Sequence, residues 1–341
     1  MHVASEGDTP PAVLVTGAST GIGLAAVRLL ARRGFEVFAG VRREEAAARL
    51  GQDGREAREV AGSSGASRAG SITPLLFDVT DESAIARAAG VIDERTGSRG
   101  LHGLVNNAGM VVAGPMEFLP IEDLRHQLEV NVLGQVAVTQ AVLPLLRRAR
   151  EHQVAAEGRR RAVGVRALTA PMGIGWPRAT GHPVVRGSRG RIVFVGSISG
   201  LVSSRLLGAY AASKFAIEAL GDAFRLELGP WGLQVAIVEP GRVRTPIWDK
   251  TIGAGEARMA RMPDEAAELY EATIRAVADG VSDVDAGGIP PDGVARAVLH
   301  ALTANRARTR YRVGFDARVV ALLTSFLPDR WMDRFLLAVR R

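Results

Sequence analysis

The chain has 341 residues, enough to bury one large core or two smaller ones. With no cysteine it can hold neither a disulfide framework nor a thiolate metal site, and its six histidines show no paired spacing, so no metal is expected. The net charge of +7 gathers in two arginine-rich segments, 147–191 and 306–341, rather than on a reading helix, which argues against nucleic acid as a partner.

Residues 1–10 read as a loose tail. Ala12 to Thr16 is a short apolar strand that runs into Gly17-Ala18-Ser19-Thr20-Gly21-Ile22-Gly23, and Leu24 to Arg33 then has helical periodicity ending at Gly34. Strand, glycine turn and helix in that order let backbone approach a pyrophosphate, while the helix start offers free N–H groups and a positive dipole end. Glu36 to Val41 is the second strand and closes a βαβ unit. Where an acidic residue would take the ribose 2′-hydroxyl of NAD stands Val41, followed by Arg42 and Arg43. Guanidinium groups in place of a carboxylate favour the 2′-phosphate of NADP(H) over NAD(H).

Residues 44–71 suggest a short helix and then a flexible loop. Ile72 to Phe77 is the third strand, with Asp78 at its end placed to accept from an adenine amino group. A helix over Asp81–Arg95 and a strand over Leu101–Val105 lead into Asn106-Asn107-Ala108-Gly109, small residues beside which a cofactor can pass. Ile121 to Arg150 is a long helix with Asn131 in its apolar middle. An asparagine there competes for backbone hydrogen bonds and marks a local kink or a polar relay. Residues 151–189, crowded with Gly, Pro and Arg, read as a largely irregular insertion, a solvated loop rather than an RNA contact.

Arg191 to Ser197 is a buried strand whose terminal hydroxyl, Ser197, can hydrogen-bond a substrate oxygen. Tyr210 and Lys214 open the next helix four residues apart and share one face. A tyrosine titrates near ~10, and a neighbouring ammonium lowers that by roughly 1–3 units, making Tyr210 a proton donor and acceptor for an alcohol–carbonyl pair. The helix stops at Gly229-Pro230, and Leu233 to Val238 is the sixth strand, leading into Glu239-Pro240-Gly241-Arg242-Val243-Arg244-Thr245. Residues 246–289, with Met259 and Met262, suggest a mobile lid. A helix over Pro291–Ala304, a last strand at Tyr311–Gly314 and apolar helices over Val319–Leu327 and Trp331–Val339 complete the chain.

Thr16 to Gly23, Asn106 to Gly109, Asn131, Ser197, Tyr210-x-x-x-Lys214 and Pro240-Gly241-x-x-x-Thr245 together resemble the short-chain dehydrogenases/reductases, over residues 11–245 apart from two insertions. Val37 to Arg42 and Ala209 to Ala216 look like the hydroxysteroid and retinol dehydrogenase branch. The resemblance and the strand–helix alternation imply an α/β fold. The expected form is a Rossmann-type, doubly wound, mostly parallel seven-stranded sheet in one domain, 11–305, with a helical C-terminal extension, 306–341.

The resemblance further implies that Tyr210 is the general acid in reduction, that Ser197 orients the carbonyl, and that Lys214 lowers the Tyr210 pKa while holding the nicotinamide ribose. Asn131 would anchor a water linking Lys214 to solvent. The loop Gly17, Ser19, Thr20, Gly21, Ile22 and Gly23 would hold the pyrophosphate, Asp78 the adenine, Asn106, Ala108 and Gly109 the adenosine side, and Thr245 the carboxamide. Thr16, Val79, Pro240, Gly241 and Val243 complete the cofactor set with Arg42. Gly196 departs from the pattern, standing where the family often has another serine, and the 151–189 insertion is foreign to it.

The expected function is NADP(H)-dependent interconversion of a secondary alcohol and a carbonyl on a lipophilic substrate, by a cytoplasmic homo-oligomer. No run reaches the ~18 apolar residues of a membrane span, although Trp331 to Arg341 allows peripheral membrane contact. The rival reading is a non-catalytic NADP(H)-binding sensor that signals through the arginine-rich insertion; a complete Ser197, Tyr210 and Lys214 set speaks against it.

Overall fold

The computed structural model describes residues 10–63, 70–162, 190–259 and 261–338. The expected tail, save for Pro10, and most of the expected insertion, 163–189, therefore lie outside the described residues. Seven strands form one sheet: β1 (Ala12–Val15), β2 (Glu36–Val41), β3 (Ser71–Leu76), β4 (Gly103–Asn106), β5 (Arg191–Val195), β6 (Gln234–Pro240) and β7 (Arg310–Val313). Their order is β3-β2-β1-β4-β5-β6-β7 and every pairing is parallel.

Parallel neighbours need long crossovers, and helices supply them. The helices before β6 are α1 (Gly21–Arg32), α2 (Glu44–Ser63), α3 (Glu82–Thr96), α4 (Ile121–Leu128), α5 (Gly134–Ala162) and α6 (Gly208–Leu228). After it come α7 (Ile247–Met259), α8 (Asp264–Gly287), α9 (Pro291–Thr303), α10 (Phe315–Phe326) and α11 (Asp329–Ala338). Strand side chains alternate between the two faces. Val13 and Val15 pack with α1 and α9, while Ala12 and Leu14 pack with α3, α5 and α6. Burial on both faces explains why the strands read as continuous apolar runs. The strand order reverses at β1, whose neighbours are β2 and β4, and that reversal opens a crevice at the C-terminal strand ends.

Two expectations are corrected by longer helices. The segment after β2 is a helix of twenty residues, because its Ala, Glu and Arg content outweighs Gly51 and Gly54. Likewise α5 runs through to Ala162, so the first part of the expected irregular insertion is helical; Ala155, Ala156, Glu157 and Arg159 are good helix formers. Among the described residues, only Ile121–Ala149 is long and apolar enough to cross a membrane. Half of its most apolar window is buried, and Val138, Val142, Leu145 and Leu146 belong to the core.

The expected lid consists of α7 and α8, seated on the segment 113–123. Arg258 of α7 is buried, with Nε 2.5 Å from Asp123 Oδ2 and a second nitrogen donating to the Ala113 carbonyl at 2.9 Å. From α8, the Tyr270 hydroxyl donates to Glu117 at 2.8 Å, and its ring meets Phe118 edge-on. Met116 of that segment lies against Gly208 at the start of α6.

Candidate active site

The glycine turn is held by the end of β4. Thr16 Oγ1 accepts from the Asn107 and Ala108 amides at 3.0 and 2.9 Å, and Asn107 Nδ2 donates to the Thr16 and Gly17 carbonyls at 2.9 and 3.1 Å. Gly17 has φ +64°, and a Cβ there would sit 2.7 Å from Ala108 Cα. A Cβ on Gly23 would stand 2.3 Å from the Gly17 carbonyl oxygen. Only glycine fits either place.

Thr20 occupies the N-cap of α1, yet its side chain makes no capping bond and the first turn holds no acid. Its amides and dipole are thus left for an anion, as a dinucleotide pyrophosphate requires. Ser19 and Ile22 belong to the same turn, and Gly21 faces Thr245 across it. At the ends of β2 and β3, the exposed Arg42 lies 3.6 Å from Asp78. Burial pushes the Asp78 carboxyl up, but hydrogen bonds from the Thr80 amide and hydroxyl together with Arg42 outweigh it, and the net shift is downward.

The second half of the site is built on β5 and α6. Ser197 follows β5 in extended conformation, and its Oγ accepts from the Ser199 amide at 3.1 Å. Tyr210 stands in the first turn of α6, with its phenol near enough to the Ser197 hydroxyl for that group to pull its pKa down. Lys214, one turn on, carries its ammonium 5.6 Å from the centre of the Tyr210 ring and donates to the Val195 carbonyl at 2.8 Å. Sequence spacing therefore brought Ser197, Tyr210 and Lys214 to one place.

The expected direction of the Tyr210 shift is corrected. Burial pushes the phenol above its ordinary value, and only the Ser197 hydroxyl pulls it back. The amine exerts less pull than the spacing implied, for two reasons. Its hydrogen bond goes to Val195, and its own pKa is lowered to about 8 by burial, with Glu218 opposing that fall.

Asn131 lies in a π-helical turn, Glu129–Leu133, between α4 and α5, which is the local irregularity its sequence position suggested. The side chain is fully buried. Its Nδ2 donates to the Met110 carbonyl and to Ser213 Oγ, both at 3.0 Å, and its Oδ1 accepts from the Met110 amide at 2.9 Å. Ser213 Oγ in turn donates to the Tyr210 carbonyl at 2.7 Å. Both amide hydrogens of Asn131 go to protein partners, so the side chain braces α6 against the β4 loop.

Three bracing residues escaped sequence reasoning. Gln127 bonds the Met110 carbonyl and the Val112 amide, Gln135 donates to the Ala108 carbonyl, and Thr139 accepts from Asn106 Nδ2. With Asn131 they make a buried polar stripe at four-residue spacing, 127, 131, 135 and 139, which was visible in the sequence.

Other expected cofactor residues sit differently. Asn106 is buried on Thr139, Val79 packs into the core against Gly134, and Val243 is in the core beside Ile289. Gly241, following Pro240 at the end of β6, packs on Asp316. Gly109 packs on the Asn131 amide.

A short chain dehydrogenase family model matches residues 11–155 and 177–254. The chain is 30% identical over 321 residues to an NADPH-dependent 3-dehydrocapnine reductase of Ornithobacterium rhinotracheale, covering 94% of each chain. It is 31% identical over 335 residues to retinol dehydrogenase 5 of Mus musculus, covering 95% of this chain and 87% of that one. In three dimensions it resembles a short-chain dehydrogenase from Streptomyces avermitilis, with TM-score 0.61 and 25% identity over 94% of this chain and 96% of that one. With a glycine turn, an all-parallel sheet and this match over most of its length, the chain belongs to the short-chain dehydrogenases, in their retinol and hydroxysteroid dehydrogenase-like branch, and is an oxidoreductase.

Proposed function

We propose that this oxidoreductase uses NADP(H) to interconvert a secondary alcohol and a carbonyl on a lipophilic substrate, with Tyr210 as proton donor and acceptor. One observation carries the reading: Ser197, Tyr210 and Lys214 converge at the end of β5, and Asn131 and Asn107 brace that place and the glycine turn to the same β4 loop. A bound nicotinamide supplies the hydride in reduction and takes it in oxidation. The protein's part is to position the substrate and move the proton.

Ser197, fixed at the strand end, offers its hydroxyl to the substrate oxygen beside Tyr210. Tyr210 gives its phenolic proton to that oxygen as the carbonyl carbon becomes tetrahedral. Burial keeps the phenol protonated and ready to donate. The phenolate left behind is stabilised by the Ser197 hydroxyl and by the nearby Lys214 ammonium. In oxidation the same groups run in reverse. A panel of lipophilic ketones followed by NADPH absorbance tests the reading: ketone-dependent NADPH loss is expected, and no turnover with any ketone or alcohol, under NADPH or NADH, contradicts it.

Arg42 supports the choice of NADP(H), since its guanidinium is exposed and no acid stands at Val41. The name of the capnine-type relative, an NADPH-dependent reductase, agrees. Arg42→Asp is expected to lower the NADPH-over-NADH binding preference about tenfold or more, the loss of one hydrogen bond to a charged group. Titration of both cofactors measures it, and an unchanged ratio removes Arg42 from cofactor choice.

Apolar side chains near the start of α6 support a lipophilic substrate. Leu119 and Met262 close on Gly114, and Met116 closes on Gly208 next to Tyr210. The retinol dehydrogenase relatives point the same way. Arg258→Ala frees α7 from Asp123 and Ala113 and is expected to raise KM for the carbonyl roughly tenfold with cofactor affinity intact. Steady-state kinetics beside a cofactor titration checks this; a cofactor defect of equal size would mean that Arg258 supports the whole crevice.

A further inference from the structure

Behind Lys214 lies a buried charge cluster that the proposed reaction does not use. Glu218 follows Lys214 by one turn of α6, and its neighbour Glu239 at the end of β6 is fully buried. Arg310 of β7 joins the two, with Nε 3.0 Å from Glu218 Oε2 and 3.1 Å from Glu239 Oε1. The same guanidinium reaches Asp222 at 2.9 Å, Arg225 also pairs with Asp222, and Arg312 lies 3.3 Å from Glu239 Oε2. Lys214, Asp222, Arg225, Glu239, Arg310 and Arg312 are thus the charged groups around Glu218 from α6, β6 and β7.

The other carboxylate oxygen of Glu218, Oε1, lies beside Gly196. It is buried and has no hydrogen-bond partner among the described residues. Residue 196 is glycine, and a Cβ there would stand 3.1 Å from this oxygen, a tight contact. Val195, whose carbonyl takes the Lys214 ammonium, is the residue before Gly196, and Ser197 is the residue after it. Lys214 is thus bonded to, and Glu218 Oε1 lies beside, one short segment of chain, the segment from which Ser197 projects. An opposite charge one helical turn away, in a medium poor in water, favours the ammonium.

We propose that Glu218 is a positioning residue for the chemistry proposed above: anchored by Arg310 and seated beside Gly196, its carboxylate is the counter-charge that keeps Lys214 protonated beside Tyr210. The site's own charge balance agrees. Burial lowers Lys214 to about 8 and Glu218 pulls it back. Burial and the Glu239 charge push Glu218 up to about 7, against the pull of Arg310. Both groups are thus charged together only in a narrow range around neutral to mildly alkaline pH.

The composition makes this directly measurable. Of 43 lysines and arginines only two are lysines, Lys214 and Lys250. Lys250→Arg leaves a full-length protein with one lysine, whose side-chain NMR signal can be titrated without substrate or cofactor. In that background the Lys214 midpoint is expected near 8. Adding Glu218→Gln is expected to lower it by about one pH unit. Glu218→Asp, which keeps the charge one methylene shorter and is the milder change should Gln unfold the protein, is expected to fall between. Equal midpoints with Glu, Asp and Gln would overturn the proposal, whatever the enzyme reduces. If the midpoint moves but the alkaline limb of kcat/KM for carbonyl reduction does not, Glu218 still sets the charge on Lys214, and it is the catalytic reading of Lys214 that fails.

Discussion

Tyr210→Phe is expected to lower kcat for carbonyl reduction by about 10²–10⁴-fold, the usual worth of a positioned general acid. The ring, and with it the packing at the start of α6, is kept; only the phenolic oxygen next to Ser197 is lost. Lys214 retains its bond to Val195, and the glycine turn is untouched, so the cofactor dissociation constant should change little. Single-turnover kinetics with a saturating cofactor separates the two quantities. Turnover within a few fold of the unaltered enzyme would remove Tyr210 from proton transfer.

Arg310→Met is expected to be the most damaging change to stability among charged residues of the site. Arg310 is shared by Glu218, Glu239 and Asp222, and removing it leaves buried Glu218 without its cation and Glu239 with Arg312 alone. Breaking a buried pair costs about 3–5 kcal/mol, and partial exposure of the guanidinium brings the expectation to about 2–4 kcal/mol at pH ~8.

That loss should shrink toward pH ~5. Glu218 already titrates near 7 in the fold, above its ordinary value of 4.5, so its folded form binds a proton more tightly than its unfolded form. The stability tied to that group is complete below 4.5 and declines as pH rises through about 7. Without Arg310 the carboxylates hold protons to still higher pH, which deepens the deficit on the alkaline side and leaves little of it when both are neutral. Urea unfolding at the two pH values measures the difference. An equal loss at both would mean that packing of the guanidinium, not its charge, matters at this position.

The strands were largely legible because the sheet is buried on both sides: Ala12–Val15, Glu36–Val41 and Gln234–Pro240 show as apolar runs with little to imitate them. Ser197, Tyr210 and Lys214 were legible because one strand end and one helix turn fix their mutual placement. The direction of the Tyr210 shift was not, since spacing reports which charges are near and says nothing of burial. The burial of the Val79 and Val243 side chains was not legible, because a position near a strand end does not say which way a side chain turns.

The length of α5 was hidden by the Gly158-Arg159-Arg160-Arg161 run, which reads as loop by composition yet is helical. Glu218 resembled the polar member of an ordinary amphipathic helix. Two signals pointed inward all the same. Glu239 interrupts an apolar strand, and lysine at 214 is conspicuous in a chain that uses arginine almost everywhere else. A compact ammonium whose pKa yields to burial is what a guanidinium cannot supply, and a lysine at this position suits the titrating role proposed for it.

The central claim is a hydride delivered to a carbonyl carbon while Tyr210 protonates its oxygen. The direct measurement uses NADPH deuterated at C4 of the nicotinamide, a lipophilic ketone accepted by the enzyme, and mass spectrometry of the product. The account predicts an alcohol with one deuterium on the carbinol carbon, on a single face, formed by the unaltered protein and scarcely by Tyr210→Phe. Cofactor binding without label reaching the substrate, or label exchanged into solvent, would contradict it.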